Sequence, residues 1–95
     1  MSVNLTLHLR VAGLSGDQSG TVAAAIGAVL KQHDIERDIV LSEVDGELRG
    51  TTPYPMIISR SWEWCPRVEA DIATAVATVA PAAIAAITWD SPDEA

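Results

Sequence analysis

The 95-residue chain contains no phenylalanine, a single cysteine, a single lysine and only two histidines. Each scarcity excludes something. Without phenylalanine, the large pieces of a core have to be leucine, isoleucine, valine and the three tryptophans, Trp62, Trp64 and Trp89. A lone Cys65 rules out an intramolecular disulfide and a four-cysteine zinc site. His8 and His33 do not stand at a metal-ligating spacing, so neither a metal nor another cofactor is expected. Six cationic side chains against thirteen carboxylates leave a net charge of −7. Nucleic acid and anionic membranes are bound by Lys and Arg meeting phosphates, so neither is an expected partner. Apolar stretches are interrupted by Gly, Thr or Pro well short of the roughly 20 residues of a spanning helix. No basic segment followed by an apolar one opens the chain. A cytoplasmic location is the expectation.

What is present is unevenly distributed. Fifteen residues are alanine, which favours closely approaching helices over a thick core. Five arginines to one lysine resemble the usage of a GC-rich bacterial genome. The length fits one domain over 1–95, with an acidic tail from about residue 90.

Residues 3–11 alternate strictly between apolar and polar side chains, the signature of a strand buried on one face only. Asn4, Thr6, His8 and Arg10 therefore point to an open sheet face. A small-residue turn follows, with Gly13, Gly16 and Gly20; Ser15 and Gln18 match a capping box, and Asp17 or Ser19 are rival caps. It lacks the lysine and hydroxyl ending of a phosphate-binding loop and reads as a strand-to-helix turn. A helix to about His33 carries Val22, Ile26, Val29, Leu30 and His33 on one stripe. Residues 39–44 read as a strand, and Asp45-Gly46 as a hairpin turn. Residues 47–49 then form either a short returning strand or the end of a bulged one.

After a proline-rich loop, residues 56–64 alternate again, with Met56, Ile58, Arg60, Trp62 and Trp64 on one face. That face is expected to pack inward, with Arg60 at an edge; a one-residue slip would expose both tryptophans instead. Pro66 marks the start of a second helix, striped by Val68, Ile72, Val76 and Val79 and ended by Pro81. Residues 83–89 form a last strand. The order strand, helix, strand, strand, helix, strand resembles the α+β, ferredoxin-like βαββαβ sandwich, an antiparallel sheet with both helices on one face. That resemblance extends to fold alone, because the fold hosts many unrelated functions.

The distinctive charged feature is the run Asp34, Glu36, Asp38, Glu43, Asp45 and Glu47, relieved only by Arg37. It points to a protein-binding domain that meets a basic partner, as an inhibitor or immunity protein occludes a nuclease toxin. Asp38, Glu43, Asp45 and Glu47 are the expected contact residues. A rival reading is a ligand-binding domain or enzyme that forms a homodimer through the open sheet face and encloses a pocket between sheet and helices, with His8, Arg10 or Cys65 doing chemistry. His8, Arg10 and Glu63 on the open face are a further candidate site. An assembly subunit is a third reading. In the ferredoxin-like order the first and third strands are neighbours, which offers His8 a route to Cys65.

Overall fold

The computed structural model describes residues 2–59 and 61–90. Its sheet is built on β1 (Ser2–Ala12), followed by α1 (Gln18–Gln32), β2 (Val40–Val44), β3 (Glu47–Thr51), β4 (Met56–Ser59), α2 (Ser61–Val79) and β5 (Ile84–Asp90). The architecture is mixed α+β, with five strands in one antiparallel sheet and two helices. β5 runs along one edge of β1, from Thr6 to Ala12. Along β1, β3 pairs with His8–Val11 and β4 with Ser2–Leu5, while β2 pairs only with β3.

The gap between β3 and β4 is closed by a side chain. Pro53 and Pro55 cannot donate to a ladder, so the chain leaves the sheet at residues 52–55. Thr52 makes the break tolerable. Its N–H donates to the Leu7 carbonyl at 3.3 Å, and its hydroxyl accepts the Leu7 N–H at 2.9 Å. Thr52 is buried, so the hydroxyl does for Leu7 what water cannot.

The alternation in β1 sets the two faces of the molecule. Leu5, Leu7, Leu9 and Val11 are buried, Leu7 and Val11 completely. Above them lie Val22, Ile26, Val29 and Leu30 of α1, and Val68, Ile72 and Val76 of α2, in one core with both helices in contact. Gly50, between Leu9 and Leu41 in the sheet register, leaves room for the Leu41 side chain, which a Cβ there would meet at 2.8 Å.

The helix and turn signals translate into specific bonds. The Gln18 side chain accepts the Ser15 N–H at 3.1 Å, but α1 begins at Gln18, so its N-cap is the rival candidate Asp17, whose side chain makes no capping bond, and Ser15 lies ahead of the helix. At the other end of α1, Asp34 takes the left-handed conformation (φ 59°), and the Ile35 N–H reaches the Leu30 carbonyl at 2.9 Å. This is a Schellman ending, with Ile35 tucked into the core. Asp45 and Gly46 both have positive φ (52° and 78°), as a primed two-residue hairpin turn requires. Residues 47–51 are therefore a genuine returning strand.

The segment 56–64 departs from its expected course. Met56 is buried and Ile58 half-buried on the inner side, as the alternation predicts, but the strand stops at Ser59 and α2 starts at Ser61. Trp62 is exposed rather than buried. The physical reason is that Trp64 also stands four residues before Val68, on the helical stripe that continues to Ile72 and Val76. Helical spacing wins because it sets Trp64 against Trp89 and His33. Pro66 accordingly lies inside the helix, one turn past its start, rather than at the first position. The placement of Arg60 and the acidic tail beyond Asp90 lie outside the described residues.

Two substitutions test this arrangement by urea denaturation. Leu7→Ala removes a fully buried side chain and is expected to cost about 2–5 kcal/mol, whereas Thr6→Ala, on the other face, costs far less. Thr52→Val keeps the shape but strips the Leu7 N–H of its acceptor, with an expected loss of about 1–3 kcal/mol. Equal losses at Leu7 and Thr6 would show the faces to be misassigned.

Candidate functional site

Side chains on the even-numbered positions of β1 stand on the face opposite the helices. His8 and Arg10 are exposed there, as the sequence pattern predicts. Register places His8 between Thr51 of β3 and Thr88 of β5, and Arg10 between Arg49 and Ala86. His8 Nε2 lies 3.2 Å from the Asp90 carboxylate. His8, Arg10, Ser42, Arg49, Thr51 and Thr88 line a shallow trough of about 590 Å³.

Arg10 and Arg49 are directly opposed cations, a pairing that by itself destabilises a sheet. Glu47 resolves it. Arg10 Nε donates to one of its carboxylate oxygens, and Arg49 Nη2 lies 3.5 Å from the other. The hydrogen bond from Arg10 holds the Glu47 carboxyl below the usual glutamate range, and the same bond raises the Arg10 guanidinium. Glu47 thus faces the open side of the sheet and is neutralised by two arginines.

Glu63, expected on the open face, is instead an exposed residue in the first turn of α2. The reason is the early start of that helix. Cys65 is also on α2, in the layer on the far side of the sheet from His8, so the two do not meet. Burial, assisted by the Glu69 charge, pushes the Cys65 thiol up, away from a reactive thiolate.

The rest of the acidic run is spread along one edge. Asp34, Glu36 and Asp38 occupy the exposed loop that leads into β2, and Glu43 and Asp45 stand exposed at the hairpin end. β2 pairs on one side only, so this is a sheet edge flanked by carboxylates at both ends. Residues 34–45 carry five carboxylates against Arg37, a net charge of −4 out of the chain's −7.

One cluster was not legible in the sequence. His33 Nε2 bonds Asp71 of α2 at 2.8 Å, across 38 residues, and the His33 ring meets Trp64 edge-on at 6.2 Å. Trp64 in turn packs edge-on against Trp89, whose indole N–H donates to Glu69 at 2.6 Å. The cluster ties the end of α1 to α2 and β5. Beside it, His33, Asp34, Asp38, Met56, Ile58 and Trp64 line an open cleft of about 470 Å³. A histidine oriented by a carboxylate is the geometry of an acid–base pair, but the other group against its ring is an indole, and the pair acts as a clasp between helices. Among the described residues, no three metal-ligating side chains converge, and no helix is long and apolar enough to cross a membrane.

The Glu47 clamp has a pH signature. Its folded midpoint lies below the unfolded value of about 4.3, so the stabilisation is present above that value and is lost as pH falls through the lowered midpoint. Side-chain carboxyl NMR should show Glu47 titrating below the ordinary range, and Arg10→Gln should return it there. A normal Glu47 midpoint in the unmodified chain would remove the clamp. No family model, curated protein or solved structure matches this chain.

Proposed function

We propose that this chain is a ferredoxin-like protein-binding domain whose acidic β2 edge docks on a basic surface of another protein. The ferredoxin-like reading treats β3 and β4 as one strand broken at residues 52–55. Thr52 supports it by continuing the pairing along Leu7, which gives the order β2, β3 with β4, β1, β5. The role is occlusion rather than catalysis, as an immunity protein or other inhibitor covers a nucleic-acid-acting toxin.

The observation that carries the docking reading is the concentration of charge on the loop and edge strand at residues 34–45. Charges that guard an edge strand against aggregation sit on the strand itself, and on β2 that is Glu43 alone. Five exposed carboxylates, spanning both ends of β2, exceed that need and create a field that steers a cationic protein. Asp38, Glu43 and Asp45 are the contacts in this reading. Glu47 contributes less than its position in the run implies, because Arg10 and Arg49 already hold it.

The test is affinity capture from an extract of the native cell, with the unmodified chain and with a Glu43→Lys/Asp45→Lys variant. The expected result is a basic protein retained by the first and lost by the second, with association slowed far more by salt than dissociation. The fold should be retained, since exposed charges contribute little stability and lysine at the positive φ of Asp45 costs at most about 1–2 kcal/mol; circular dichroism of the variant checks this. Capture that is indifferent to both charge reversal and salt would exclude the acidic edge as the contact.

A further inference from the structure

We infer that the open sheet face is the docking surface for a second copy of this chain, sheet against sheet. The face is distinct from the acidic edge in both chemistry and charge. Of the six large hydrophobic side chains exposed among the described residues, four stand on this face: Val40 and Val44 on β2, Ile57 on β4 and Ile84 on β5. The register with Thr51, Glu47, Asn4 and Ala12 puts them on the same side as His8 and Arg10. Ile57 and Ile84 are 75% and 72% exposed. They surround a polar centre, so that covering the face would bury apolar corners around paired charges.

Charge selects the occupant. A molecule of net charge −7 repels its own copy wherever acidic surfaces meet. On the open face Arg10 and Arg49 offset Glu47 and Asp90, so it is balanced with histidine counted as neutral. A basic protein is drawn to residues 34–45 and gains nothing from this face, whereas a second copy meets no repulsion here. Glu47 is already held by both arginines and Asp90 contacts His8 within each copy, which lowers the desolvation cost of covering them. Self-complementary pairs of this kind suit a two-fold, isologous contact.

The size sits at the lower margin of what a weak dimer needs. Four strand widths at about 4.8 Å, narrowing to two beside β4, give roughly 500 Å² of flat area per copy before side-chain relief is added. Specific interfaces begin near about 600 Å² per partner. The acidic loop and hairpin tip lie at the rim and stay accessible in such a dimer, so the two surfaces operate independently.

Sedimentation equilibrium on the full chain, from about 1 µM to 1 mM, should show a monomer passing to a dimer with a midpoint of about 10–500 µM, the range of small polar interfaces. Ile57→Asp/Ile84→Asp, at two highly exposed positions, should weaken the dimer at least about tenfold. Glu43→Lys/Asp45→Lys should leave it intact, which separates this proposal from the acidic-edge reading. A second readout uses the unmodified chain: amide signals of His8, Thr51 and Thr88 should shift with concentration, and those of Ala73 and Ala77 on α2 should not. A strict monomer at the highest concentration overturns the proposal. So does an assembly that survives the double substitution, or one abolished by Trp62→Gln on the helix layer instead.

Discussion

Every strand except β2 is hydrogen-bonded to β1, so the regular alternation of that one strand governs the whole molecule. Its odd positions are leucine and valine, and both helices close over them. Its even positions are left on a bare face. Because side chains in a strand alternate with a period of two, the hydrophobic pattern admits one register and no slip. The broken β3–β4 edge depends on the same strand, since the Leu7 N–H would be stranded in the core without the Thr52 hydroxyl.

The second organising feature is the way folding divides the charge. In the chain, Glu47 belongs to a continuous acidic run. The hairpin turn at Asp45-Gly46 reverses the backbone and carries Glu47 to the open face, beneath Arg10 and Arg49. The other carboxylates of the run stay at the edge and in the loop before it. One surface is thereby strongly negative and another nearly balanced. That separation gives the acidic edge and the open face different chemistry.

Legibility in the sequence followed the length scale of each interaction. His8 and Arg10 could be placed on the open face because a period-two pattern is local and unambiguous. The hairpin and the two helical stripes were readable for the same reason. Glu63 and the tryptophans were not, because Trp64 satisfies both the strand alternation behind it and the four-residue helical spacing ahead of it. Only contact with Trp89 and His33 decides between them. The His33–Asp71 bond is equally silent in the sequence, as two ordinary polar residues 38 positions apart carry no pattern.

The amino-acid sequence by itself determined the sheet's two faces, the helix stripes, the primed turn and the acidic balance, all of which follow from near-neighbour spacing and composition. The tertiary structure alone decided where α2 begins, that Thr52 repairs the break in the ladder, that Glu47 leaves the acidic run for two arginines, and that Cys65 and His8 lie on opposite sides of the sheet. These depend on which distant segments are brought together. That is set by shared burial of the whole core, a property no short stretch of the chain contains.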